Sequence, residues 1–137
     1  MGKRRHSREL ALKFLYEYEL NSGDLEERLA FFGKRDSVGL EVWEFASGII
    51  KTTIERQGEI DEQLDKACQN WTLFRMAVVD RNILRMAACE LIYFATPATV
   101  VIDEAIEIAK KYGGENSPDF INGILDRVRS ESAEIAP

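Results

Sequence analysis

Apolar residues recur along this chain at helical spacing almost from end to end. From Ser7 to Leu20, the residues Leu10, Ala11, Phe14, Leu15 and Tyr18 form one stripe, and Asn21-Ser22-Gly23 ends it. Asp24 is placed to cap a short second helix carrying Leu25, Leu29 and Phe32, closed by a polar break from Gly33 to Ser37. A longer helix is predicted from about Val38, burying Val42, Phe45, Ala46, Ile49, Ile50 and Ile54. Gly58 then reads as a hinge before Ile60, Leu64, Ala67 and Cys68. Asn70 to Phe74, with Trp71, reads as a loop-like start. Val79, Ile83, Met86, Ala87, Leu91 and Phe94 mark a central helix that stops before Pro97. No segment carries a credible strand pattern.

Two further amphipathic helices close the pattern. In VIDEAIEIAKKYG, Ile102, Ala105, Ile106, Ala109 and Tyr112 share one face. Asp103 and Glu104 lie early and Lys110 and Lys111 late, as the helix macrodipole favours. Gly113 closes this helix as a residue tolerant of positive φ. In GENSPDFINGILDRVR, Ser117 reads as N-cap, Pro118 as the first helical residue, and Ile121, Ile124, Leu125 and Val128 as the stripe. Asn122-Gly123 interrupts that stripe, and an interior glycine costs about 1 kcal/mol relative to alanine. Two readings stand: Gly123 admits a neighbouring helix, or the pair belongs to a functional surface one turn from Phe120. The expected fold is all-α, a compact bundle of about seven helices in one domain over 1–137. It divides into a three-helix subdomain, 1–57, and a four-helix subdomain, 58–137.

Charge adds an asymmetry to this plan. The formal net charge is −6. Yet Lys3, Arg4, Arg5, Arg8 and Lys13 crowd the first 13 residues against Glu9 alone, while residues 17–65 hold 13 acids and 5 bases. A local basic patch is enough to bind phosphate, because condensed counterions are released locally. Arg5 and Arg8 lie three apart and share a face if the first helix reaches back that far. Guanidinium groups fork onto phosphates and stack on bases, which suits single-stranded RNA, and Phe120 is a candidate aromatic for the same surface. The alternative is a solvated basic tail.

Other chemistries find little support. His6 is the only histidine and has no nucleophile motif around it; Cys68 and Cys89 stand far apart, as reduced, packed thiols would. No P-loop, GxGxxG or HExxH occurs. The expectation is a protein that is not an enzyme and needs no metal and no cofactor. No apolar run approaches the roughly 18 residues that would span a bilayer, and the basic N-terminus lacks the apolar core of a secretory signal. A cytoplasmic protein without membrane contact is expected.

The segment VIDEAIEIAKKYGGENSPDFINGILD resembles, almost position for position, the signature of the NusB family of transcription antitermination factors. The likeness extends to VVDRNILRMAACELIYF and RRHSRELALKFLYEYEL; between about residues 22 and 70 it rests on length and helical character. The resemblance implies a surface for boxA-type single-stranded RNA made of the N-terminal arginines and the turn before the last helix. The matching positions are Lys3, Arg4, Arg5, Arg8, Asn116, Ser117 and Phe120, and on the second reading of the Asn122-Gly123 pair Asn122 joins them. Tyr16 and Asp80 match residues by which relatives hold NusE, a small-subunit ribosomal protein, and Arg81 and Arg85 group with them. Without the resemblance, Tyr16 reads as half-buried core and Asp80 as a partner of Arg81 or of a neighbouring helix. Glu90 reads as a structural partner for Arg85 or Arg75.

A basic ribosomal protein needs an acidic dock, and the acidic body supplies one. The resemblance further implies action on the elongating RNA polymerase complex, notably in ribosomal RNA operons, and leaves open a homodimer formed through the same acidic surface. The alternative is a helical protein–protein interaction module without direct RNA binding. Asn116 departs from the acid often found there in relatives. Loss of that carboxylate favours nearby phosphates, or Asn116 does no more than shape the turn after Gly113-Gly114.

Overall fold

The computed structural model describes residues 2–36, 38–69 and 72–135, so Ser37, Asn70 and Trp71 lie outside the described residues. Among these, seven α-helices follow one another: α1 (Lys3–Leu20), α2 (Leu25–Asp36), α3 (Leu40–Glu55), α4 (Gln57–Ala67), α5 (Val78–Tyr93), α6 (Ala98–Tyr112) and α7 (Ser117–Ile135). A 3-10 turn, Leu73–Arg75, precedes α5. No strand occurs among the described residues, in keeping with the all-α prediction.

Helix α5 is the physical centre. Its residues from Arg81 to Glu90 are all buried, because α1, α3, α4, α6 and α7 all pack against it. A helix enclosed on every side has no face left for water. Its polar residues Arg81, Asn82, Arg85 and Glu90 are therefore interior, where each needs a partner.

The first helix packs on α3 as well as α5. The Ser7 hydroxyl lies 2.9 Å from the Val42 carbonyl and joins α1 to α3. Asp24 accepts from the Glu27 N–H at 2.9 Å and caps α2 as the sequence predicts. Phe32, buried to 2 %, seats α2 between Phe14, edge-on at 5.4 Å, and Trp43, stacked at 6.0 Å.

Several boundaries differ from the pattern. α1 begins at Lys3, so the basic cluster is helical and Arg5 and Arg8 do share a side. Gly33 does not break α2; a methyl there would lie 3.1 Å from the Trp43 ring, so the glycine makes room for that ring. The bend between α3 and α4 falls at Arg56, with φ −104° and ψ 17°, while Gly58 lies inside α4 with open space around it. On α6 the buried set is Val101, Ile102, Ala105, Ile108 and Ala109. Tyr112 is displaced to the surface, where its hydroxyl donates to Glu9 at 2.7 Å.

Candidate nucleic-acid interface and partner surface

The basic head is not a free tail. Lys3 pairs with Glu41 at 2.8 Å in the open, and the Arg4 guanidinium lies 3.8 Å from the centre of the Phe45 ring. Arg5 donates to Glu104 on α6 at 2.7 Å and keeps about a third of its side chain in water. Arg8 is different. Only 4 % exposed, it forks onto Glu90, itself 1 % exposed, through Nε at 2.8 Å and Nη2 at 2.6 Å. The expectation that Arg8 reaches RNA meets a physical obstacle here, because a buried bidentate carboxylate already occupies its guanidinium. Glu90 thus finds its partner in Arg8, not in Arg85 or Arg75.

Helix α6 ties this head to the last turn. Its Glu104 holds Arg5, and seven residues later Lys111 donates to Glu9 of α1 at 2.8 Å. Burial pushes the Glu9 carboxyl up, but hydrogen bonds from Lys111 and Tyr112 outweigh it and hold the pKa below the ordinary value.

The turn itself is built around Ser117. The Gly114 N–H donates to Ser117 Oγ at 2.9 Å, and the Ser117 hydroxyl donates to Asp80 Oδ1 at 2.8 Å. The Phe120 N–H donates to the Asn116 carbonyl at 3.2 Å, so Asn116 takes the cap position and Ser117 the first helical one, a shift of one residue. Gly113 is extended, with φ −90° and ψ −174°, so positive φ is not what calls for glycine. Close approach is: a methyl there would sit 2.7 Å from Ser117 Cβ and 2.8 Å from the Ala109 carbonyl oxygen. Arg75, Asp80, Asn116, Ser117 and Phe120 line a surface cleft of about 420 Å³ beside this turn. Asn116 is exposed at its rim and Phe120 is half-buried.

A second cleft of about 480 Å³ lies along α1, lined by His6, Lys13, Tyr16, Val79 and Tyr112. Tyr16 presents 38 % of its surface there. Val79 and Asp80 are neighbours at the start of α5, one lining each cleft.

A family model described as the NusB family matches residues 5–130. The chain belongs to the NusB family. It is 46 % identical over 136 residues to the transcription antitermination protein NusB of Elusimicrobium minutum, with 96 % of each chain covered. The protein of the same name from Trichlorobacter lovleyi is 44 % identical over 131 residues, covering 95 % of this chain and 92 % of the relative. Among solved structures, T. maritima NusB superposes with a TM-score of 0.84 at 39 % identity, with 96 % of each chain covered. A chain from the crystal structure of antitermination factors NusB and NusE in complex with dsRNA gives 0.86 at 25 % identity, over 96 % of this chain and 98 % of that one.

Two of the candidate partner residues in this NusB-family chain lie inside it. Arg81 forks onto Glu19 of α1 and also donates to the Leu73 and Met76 carbonyls, each at 3.3 Å. Arg85 donates to Asp61 at 2.9 and 3.0 Å and to Glu19 at 2.7 Å. Both are buried, so their geometry corrects the expectation of a partner surface at Arg81 and Arg85: they join α1, α4 and α5. The Arg81 hydrogen bond is the main reason the Glu19 carboxyl sits below its usual range. Asn122 is exposed on α7, and a methyl at Gly123 would meet only the end of Arg127 at 4.0 Å, so close helix approach does not explain this glycine.

Sequence reasoning missed Arg75. It is exposed and lines the cleft of Asn116 and Phe120 from the 3-10 turn before α5. Its only sequence signal is a basic residue in a short break between two helices.

Proposed function

We propose that this chain is a transcription antitermination factor that holds boxA-type single-stranded RNA on its α1 head and α6–α7 turn and NusE on the flank around Tyr16 and Asp80. The observation that carries the reading is family membership over residues 5–130, joined to the NusB–NusE–dsRNA complex as a structural relative. Single strands are favoured here because unstacked bases can stack on Arg4 and Phe120, which duplex bases cannot do. Lys3 and Arg5 are the head residues placed to exchange partners, since exposed ion pairs are weak enough for phosphate to displace the carboxylate.

Each contact alone is weak, and the two partners reinforce each other by effective concentration. The assembled complex acts on elongating RNA polymerase in the cytoplasm, in ribosomal RNA operons above all. In the absence of NusE, the flank around Tyr16 is the surface by which two copies would pair.

A titration of labelled boxA RNA, single-stranded and duplex, with and without NusE, tests the reading. Binding of the single strand that tightens when NusE is added is the expected result. Absence of RNA binding under both conditions would overturn it. The burial of Arg8 on Glu90 favours the second reading, a protein-binding helical module. That module would bind NusE with no response to RNA.

A further inference from the structure

A relay of two hydrogen bonds through Ser117 reaches from the RNA-side turn to Asp80, which the functional reading assigns to the protein partner. Ser117 accepts from the Gly114 N–H and donates to Asp80 Oδ1. A hydroxyl has one proton, and here it goes to a carboxylate that can only accept; a lone pair is then left for the Gly114 N–H. The polarity of the relay is therefore set by Asp80. Ser117 is 6 % exposed, so water does not readily replace either bond. Asn116 lies in the chain between Gly114 and Ser117, and its carbonyl receives the Phe120 N–H. A displacement of Ser117 thus moves both residues at the RNA-facing rim.

We propose that Ser117 is a positioning residue through which Asp80, from the wall of the same cleft, holds the α6–α7 turn in its RNA-competent shape, coupling the carboxylate that the functional reading gives to the protein partner to the RNA-facing turn. The inference rests on the functional reading above and deepens it. Ser117 uses Oδ1 of a half-buried carboxylate, which leaves Oδ2 for a cationic group of a basic protein partner. Such a group orders the carboxylate that orders the turn. RNA then meets a larger fraction of competent protein, and its apparent affinity rises by that factor. Charge reversal at Asp80 would consequently harm both partners, and not the protein partner alone.

Three full-length variants, S117A, D80A and D80N, separate the parts. D80N keeps an oxygen for the Ser117 hydroxyl and loses the charge. Hydrogen exchange at the Gly114 amide should accelerate about fivefold in S117A and D80A and stay near wild type in D80N. Single-strand RNA affinity should be about fivefold lower in S117A than in wild type and about fivefold lower in D80A than in D80N, two variants that lack the same charge, while binding of the basic partner falls in both Asp80 variants. Wild-type exchange at Gly114 in D80A would overturn the proposal, as would equal RNA affinities in D80N and D80A. Wild-type protein that binds no RNA would overturn the functional reading instead, and the exchange comparison would then decide the relay by itself.

Discussion

Arg5 and Arg8 stand three residues apart on one helix, and solvent separates their roles. Removing the Arg8 side chain strands the Glu90 carboxylate in the core. We expect Arg8→Ala to cost about 3–5 kcal/mol, visible as a lowered urea midpoint. Arg5 is bound to Glu104 at the surface. Arg5→Ala should leave the melting temperature near wild type and lower the log–log salt slope of single-strand RNA binding by about 0.7. An unchanged slope would remove Arg5 from the RNA surface. Asn116→Asp tests the other end of that surface. A carboxylate at the cleft rim repels phosphate, so affinity should fall several-fold at low salt and recover as ionic strength shortens the screening length. Equal filter-binding curves at low salt would leave Asn116 a turn residue only.

Two glycines make opposite predictions at the scale of the element. Gly113 faces Ser117 and the Ala109 carbonyl at distances no methyl tolerates, and neither backbone can withdraw without disturbing the α6–α7 turn. Gly113→Ala should destabilise by about 1–3 kcal/mol. Gly123 has open space in a helix interior, so Gly123→Ala should stabilise by up to about 1 kcal/mol, the propensity difference. Chemical denaturation of the two variants gives both signs in one experiment. If Gly123→Ala gains stability and loses RNA affinity, the Asn122-Gly123 pair belongs to the binding surface; with affinity unchanged, it does not.

The enclosure of α5 adds to the pH response of the whole molecule through Glu19. Glu19 ties α1 to Arg81 and Arg85, and its carboxyl is held below the ordinary range, chiefly by the Arg81 hydrogen bond. A carboxyl depressed in the folded state stabilises the protein above the unfolded pKa of about 4.3, and that stability disappears as pH falls through the lower folded value. Thermal stability should therefore drop below about pH 4. Glu19→Gln should flatten that acid limb and destabilise at pH 7 by about 2–3 kcal/mol, less than a fully buried pair, since Glu19 keeps some contact with water. A variant with the wild-type acid limb would show that other carboxylates govern it.

Helix number, the Asp24 cap, the absence of strands and the family signature were legible from the chain alone, because 3.6-residue periodicity and capping are local and need no knowledge of neighbours. The chain also marked Asn116, Ser117 and Phe120 as one turn, since sequence adjacency keeps them together. What it could not reveal was which polar residues face inwards. Arg8, Arg81 and Arg85 carry the same group as Arg5, and only the helices closing around α5 commit them to Glu90, Glu19 and Asp61. Likewise, Asp80 meets Ser117 from 37 positions away, a contact no local pattern encodes. Burial is a property of the assembled helices. Tertiary packing therefore decided which charges remain available for binding and which became structure.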